Sequence, residues 1–279
     1  MIKLLATDLD GTFLQTGGTV SNVNLSALHH ARSQGLDVVF ATGRPPRWMH
    51  EIQEMTNHGG LAICSNGAVI LDLATWNVLQ AEVIPAEIGL QVCEALLAID
   101  SGMTFATELL HPEFDFLVDH GYRIRWEAPK PPQRATVEEM FATGDVIKLL
   151  ARPSDDLKTN VDHVLGLVQP ALHGVVDFTH SDVQDLLLEM SALGVNKGAA
   201  LTRFAISHDL ESNQVAAVGD MPNDLEMIQW AGRGAAVDNA HPMIKDVADE
   251  HLPANDDHAV AVFIERILTE SLLPEVSAN

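Results

Sequence analysis

Both ends of this chain alternate short apolar runs with helix-period segments, and only a few residues join one to the next. Ile2 to Leu9 is an apolar run closed by a glycine turn. Ser21 then caps a helical pattern through Val23, Leu25, Leu28 and Ala31 that stops at Gly35. A second run covers Leu36 to Ala41, a helix is expected over Pro45 to His58, and a third run covers Leu61 to Ser65. The pattern resumes with helices over 196–208 and 222–230 around runs at Val215 to Gly219 and Ala235 to Val237, then helices over 241–249 and 258–270. Continuously apolar strands separated by helices pair in parallel and are covered on both faces.

The middle reads differently. Ala68 to Leu73 and Val78 to Ile84 alternate as a hairpin, and a helix is expected over 86–99. β-rich stretches follow at 103–109, 122–127, 145–151, 175–179 and 185–190, with a helix over 155–168 and a stiff loop at Pro129-Lys130-Pro131-Pro132. The expectation is an α/β protein: a doubly wound parallel-sheet domain built from residues 1–82 and 191–279, interrupted by an inserted α+β domain over 83–190. Such an insertion leaves a cleft, where small-molecule sites tend to lie.

Charge narrows the partners. Sixteen Lys and Arg against 39 Asp and Glu give a net charge of −23, which repels polyphosphate backbones and anionic membrane surfaces, so neither nucleic acid nor a membrane is expected as partner. An anionic substrate must then be drawn in by a few local basic residues or a divalent cation. No stretch is apolar for long enough to span a bilayer, and Cys64 and Cys93 show no ligand or pairing pattern. A reducing, cytoplasmic setting is expected.

Four constellations fall at strand ends. In Asp8-Leu9-Asp10-Gly11-Thr12 the two carboxylates project the same way from the end of the first strand. Ala41-Thr42-Gly43-Arg44 offers a hydroxyl, small-residue amides and a helix start, the parts of an anion cradle. Asn196-Lys197-Gly198 puts a lysine at a helix start, where it can meet a phosphate oxygen. Gly219-Asp220-Met221-Pro222-Asn223-Asp224 supplies hard oxygen ligands with nothing soft nearby, a set that selects Mg²⁺. Singly, each has a plainer reading: an Asp-Gly turn, a capped strand-to-helix turn, a surface lysine beside an Asn cap, an acidic helix start. Together they supply a carboxylate nucleophile, an acid/base, phosphate donors and a Mg²⁺ cage, which is what phosphoryl transfer requires.

In this order the motifs resemble the haloacid dehalogenase superfamily of aspartate-based phosphatases, in its Cof-type branch. Ser65-Asn66-Gly67-Ala68, Glu189 ahead of Gly194-Val195-Asn196-Lys197-Gly198, and Ala254-Asn255-Asp256-Asp257 add to the match. The resemblance implies a Rossmann-like core with the insert as a cap, and Mg²⁺ as cofactor. It implies Asp8 as nucleophile and metal ligand, and Asp10 as acid/base that lends its carbonyl to the metal. Asp220 would ligate Mg²⁺ directly with Asp224 in support, while Gly11, Thr42, Gly43, Arg44, Asn66, Lys197 and Asn223 would bind phosphate and substrate. The expected activity is hydrolysis of a small phosphorylated metabolite, a sugar phosphate above all, through an aspartyl-phosphate, by a monomer or small homo-oligomer. A phosphosugar mutase and a non-catalytic Mg²⁺-dependent phosphate sensor are the alternatives. In the insert, Glu108, His111, Arg123, Arg125, Lys148, Arg152 and His180 are polar candidates without a motif.

Overall fold

The computed structural model describes residues 1–110, 115–124, 131–155, 161–180 and 186–271. Two compact units emerge, Met1–Gln80 with the chain from Asn196 onward, and Ala81–Val195. The first opens with β1 (Leu4–Thr7), α1 (Asn22–Ser33), β2 (Asp37–Ala41), α2 (Met49–Thr56), β3 (Leu61–Cys64), β4 (Val69–Asp72) and β5 (Val78–Ala81). Ser21 caps α1 by accepting from the Asn24 N–H at 3.0 Å, and the expected helix from Pro45 divides into a 3-10 turn and α2.

The second unit holds α3 (Ala86–Ile99), β6 (Thr104–Leu109), β7 (Phe116–Val118), β8 (Gln133–Arg134), α4 (Val137–Thr143), β9 (Val146–Arg152), α5 (Val161–Leu172), β10 (Val176–His180) and β11 (Leu188–Ala192). The chain then returns to the first unit with α6 (Lys197–Ser207), β12 (Val215–Gly219), α7 (Leu225–Trp230), β13 (Arg233–Ala236), α8 (Pro242–Val247), β14 (Glu250–His251) and α9 (Ala259–Ser271).

The first unit's sheet runs β14-β13-β12-β1-β2-β3-β4-β5. It is parallel from β14 to β3, with Leu4 of β1 opposite both Val215 and Asp37, and turns antiparallel at β4. Strands β1 and β12 are buried at every position, so both faces need apolar side chains. The C-terminal ends of the adjacent strands β12, β1, β2 and β3 therefore deliver Asp220, Asp8, Thr42 and Ser65 to one edge of one sheet.

The second unit's sheet runs β10-β11-β9-β6-β7-β8. One face packs Phe105, Leu149 and Met190 against Val92 and Leu96 of α3, Met140 of α4 and Val168 of α5. Ala106, Val118, Tyr122 and Leu150 cluster separately from that core.

Several expectations shift here. The strand expected over 122–127 is not present at Tyr122–Ile124, and 125–127 lie outside the described residues. Asp119 accepts from the N–H groups of Gly121 and Tyr122 at 2.7 Å each, a turn that competes with strand pairing, and the strand is instead β7. Helix α5 runs on to Leu172 and carries Pro170 near its end. Helix α4 was too short for a periodicity signal, although Thr136 and Glu139 form its capping box. Of the stiff proline loop, Pro129 and Lys130 lie outside the described residues.

One buried group makes the first unit sensitive to acid. His58 is 1% exposed, with its ring 4.5 Å from that of Phe40, and burial followed by the Arg32 charge pushes its pKa down to about 4. Between that value and its ordinary 6.5 the unfolded chain takes up a proton that the folded chain refuses, so stability drops as pH falls through this window and no further below it. Denaturant unfolding at pH 7 and pH 4.5 should show His58→Phe losing about 3 kcal/mol less than the parent between the two conditions. An equal loss in both proteins would remove His58 from the account.

Candidate active site

Asp8 is the first residue beyond β1. Its Oδ1 accepts from the Lys197 ammonium at 2.6 Å, while Oδ2 is buried with no hydrogen-bonding partner. Lys197 opens α6, whose cap Asn196 accepts from the Ala199 N–H at 2.7 Å. This lysine is fully buried and also donates to Asp224 Oδ1 at 2.7 Å. The other Asp224 oxygen accepts from the N–H groups of Asp220 and Met221 at 3.0 Å each, which folds the 3-10 turn Pro222–Asp224 back onto the end of β12. Asp220 in turn accepts from the Thr12 hydroxyl at 3.4 Å. One carboxylate oxygen from each of Asp8, Asp220 and Asp224 lies within 4.8 Å of the others.

Three buried carboxylates face one ammonium, and the electrostatics reflect it. Burial pushes the Asp8 carboxyl well above its ordinary pKa; Lys197 opposes this, while Asp224 and Asp220 add to it. Asp220 is pushed up to about 7 by burial and then by Asp224, against Lys197 and Thr12. Burial alone would lower Lys197, yet Asp224 and Asp8 outweigh it and hold the ammonium charged. The unpartnered Asp8 Oδ2 beside Asp220, with hard oxygen donors throughout, fits a divalent cation of the Mg²⁺ type. No histidine joins this group among the described residues.

Gly11 is required by closeness as well as by backbone conformation. Its φ is +79°, and a Cβ there would stand 2.3 Å from Asp220 Oδ2. The phosphate-binding candidates gather at the ends of β2 and β3. Thr42 is fully buried, its hydroxyl accepting from the Arg44 N–H at 3.0 Å. The Ser65 and Asn66 N–H groups donate to the carbonyls of Arg44 and Thr42, and Asn223 donates to Asn66 Oδ1 at 3.0 Å. A Cβ on Gly43 would sit 3.1 Å from that same oxygen. Ser65 and Asn66 are both left-handed (φ 51° and 56°), a strain on the order of 1 kcal/mol or more each that concentrates at functional turns.

The structure thus brings Asp8, Lys197, Asp220 and Asp224 together, and Thr42, Gly43, Asn66 and Asn223 together. Asp10 and Arg44 pair with each other: the guanidinium grips both Asp10 oxygens, at 2.6 and 2.8 Å. Thr12, which no motif reading singled out as a side-chain partner, supplies the hydroxyl on Asp220. In the second unit Lys148 meets Glu189 at 2.5 Å, Arg152 lies over the Tyr122 ring, and Arg123 is 3.5 Å from Asp155. Glu108 is buried in β6 and His180 ends β10; His111 and Arg125 lie outside the described residues.

Comparison with known proteins matches this arrangement to a family. The profile of the haloacid dehalogenase-like hydrolases covers residues 5–264, and the chain belongs to that family. It is 28% identical over 287 residues to the pyridoxal phosphate phosphatase YbhA of Escherichia coli, covering 94% of this chain and 97% of that one. It is 28% identical over 260 residues to the 5-amino-6-(5-phospho-D-ribitylamino)uracil phosphatase YcsE of Bacillus subtilis, covering 93% of each. Among solved structures, the HAD subclass IIB sugar phosphatase BT4131 superposes with a TM-score of 0.76 at 19% identity, over 95% of this chain and 98% of that one, a likeness of fold. No helix among the described residues is long and apolar enough to cross a membrane.

Proposed function

We propose that this protein is a Mg²⁺-dependent phosphomonoesterase that hydrolyses a small phosphorylated metabolite of the sugar-phosphate class through an aspartyl-phosphate on Asp8. The observation that carries the reading is Asp8 itself, oriented by Lys197 through one oxygen and left with a second, unpartnered oxygen at the strand edge where ligands of open α/β sheets bind. Both the pyridoxal phosphate phosphatase and the ribitylaminouracil phosphatase to which the chain is similar carry the name of a phosphate monoester.

In this reading Lys197 aims the Asp8 carboxylate and opposes the protonation that burial favours, while the Thr42 hydroxyl and neighbouring amides receive the phosphoryl oxygens. An Asp8 oxygen attacks phosphorus and the ester P–O bond breaks. As the Arg44 guanidinium turns to the substrate's phosphate, the released Asp10 carboxylate takes up a proton from solvent and gives it to the leaving alkoxide. Asp10 then takes a proton from the water that attacks the acyl phosphate, and inorganic phosphate departs with Asp8 restored. Asp8, Asp220 and the Asp10 carbonyl, with Asp224 in support, would hold Mg²⁺, which would supply charge neutralisation between the carboxylates and the phosphate dianion. The second unit selects the leaving group, and Cys64 and Cys93, both buried and neither in a disulfide, suit a reducing cytoplasm.

Phosphate release from a panel of sugar phosphates and p-nitrophenyl phosphate tests the reading. Excess chelator should cut turnover by roughly a hundredfold or more, and added Mg²⁺ should restore it. Full turnover in chelator would overturn the metal's role, and no release from any monoester would overturn the function.

A further inference from the structure

Three asparagines hold the backbone of the loop that carries Asp10. The carbonyl of Gly11 accepts from Nδ2 of Asn239 at 2.8 Å, that of Phe13 from Nδ2 of Asn24 at 2.9 Å, and that of Leu14 from Nδ2 of Asn255 at 2.9 Å. They come from three separate segments: the turn after β13, helix α1, and the turn before α9. Two of the amides are oriented from behind. Oδ1 of Asn239 accepts from the Asn255 N–H at 2.9 Å, and Oδ1 of Asn24 from the Ala261 N–H at 3.1 Å. A backbone N–H only donates, so the oxygen must face it and the NH₂ must face the loop. All three donors are neutral, and they fix the loop without adding charge beside the buried carboxylates.

Asn239 differs from the other two. Asn24 and Asn255 are buried, whereas Asn239 is exposed. Its turn also reaches the second acidic loop, because the His241 N–H donates to the carbonyl of Asp220 at 2.8 Å. Gly11 already lies against the Asp220 carboxylate. One turn, residues 237–241, therefore clips the Asp10–Gly11 loop and the Asp220 loop together.

We propose that Asn239 is a positioning residue for the acid/base: its grip on the Gly11 carbonyl sets the direction of the Asp10–Gly11 backbone, and with it where the Asp10 carboxyl meets the leaving group. The inference rests on the role given to Asp10 in the proposed function. Asn239→Asp is nearly isosteric and keeps an oxygen for the Asn255 N–H, but turns an acceptor toward the Gly11 carbonyl in place of the donor. Asn239→Ala removes the donor without adding that repulsion.

The test compares kcat/KM, which reports the step that expels the leaving group, on two substrates. Glycerol phosphate has an alkoxide leaving group that needs a proton, and p-nitrophenyl phosphate has a phenolate that leaves without one. In Asn239→Asp, kcat/KM for glycerol phosphate should fall roughly tenfold or more, while that for p-nitrophenyl phosphate stays within about threefold. Asn239→Ala should show a smaller loss with the same dependence on leaving group. The thermal unfolding midpoint of both variants should stay within about 2 °C of the parent, as for an exposed side chain. Equal losses on both substrates, no loss on either, or a loss that tracks a lowered unfolding midpoint would overturn the positioning role. A parent protein that releases no phosphate from either substrate would instead overturn the phosphatase reading, and this inference with it.

Discussion

Asp8→Asn should lower phosphate release by about three orders of magnitude or more and abolish any covalent phosphate adduct, whereas Asp10→Asn should accumulate one. The two residues sit two positions apart and face different surroundings. Asp8 is buried between Lys197 and Asp220 with one oxygen free, while Asp10 is exposed and held by the Arg44 guanidinium. An amide at Asp8 has no anionic oxygen to attack phosphorus, so nothing forms. An amide at Asp10 leaves the nucleophile intact but deprives the incoming water of its base. A substrate with a good leaving group should then phosphorylate the protein and stall. Intact-mass spectrometry after acid quench reads both outcomes, and a persistent adduct on the Asp8→Asn protein would show that phosphate is carried elsewhere.

Lys197→Met should cost both activity and stability. The ammonium is fully buried between Asp8 and Asp224, at 2.6 and 2.7 Å, and a methionine fills its volume without its charge. Two buried carboxylates then face each other unpaired, and removing one partner from such a group costs about 3–5 kcal/mol. Chelator in the unfolding experiment prevents a cation from substituting for the lost charge. The double variant Lys197→Met/Asp224→Asn removes one of the stranded carboxylates and should recover at least about 1 kcal/mol of the loss, without recovering turnover, since Asp8 still lacks its orienting partner. A double variant less stable than Lys197→Met alone would mean that the lysine does not hold these acids in place.

The first unit was legible because its strands are read one at a time. Val215 to Gly219 is apolar throughout since both faces of a central parallel strand are covered, and the helix on either side repeats with its own period. The residues in the motifs follow directly from strand ends, which is why Asp8, Thr42, Lys197 and Asp220 could be named before their distances were known. The second unit was harder for a local reason. Phe116–Val118 and Gln133–Arg134 are strands of three and two residues whose pairing depends on distant neighbours, and Asp119 draws Gly121 and Tyr122 into a turn. Asn239, Thr12 and the Arg44 grip on Asp10 were invisible for a related reason. Each is a side-chain hydrogen bond between segments far apart in sequence, and an asparagine in a turn looks the same whether it caps its own backbone or another loop's.

The strand order of the first unit also dictates a sequence of events during synthesis. β1 lies between β2 and β12, and Leu4 pairs with Val215, so the whole second unit is translated between the two halves of the central ladder. At ribosomal speed that interval is on the order of ten seconds. Throughout it, one edge of β1 has N–H and C=O groups with no native strand to receive them, and the face that carries Leu4 and Ala6 lacks α6 and α7. The nascent chain must shield that edge until β12 arrives, because an unpaired apolar edge is a template for pairing with another copy. Expression at low temperature or with a holding chaperone should therefore raise the soluble yield of the intact chain more than that of residues 81–195 expressed alone, whose strands pair within a single uninterrupted stretch.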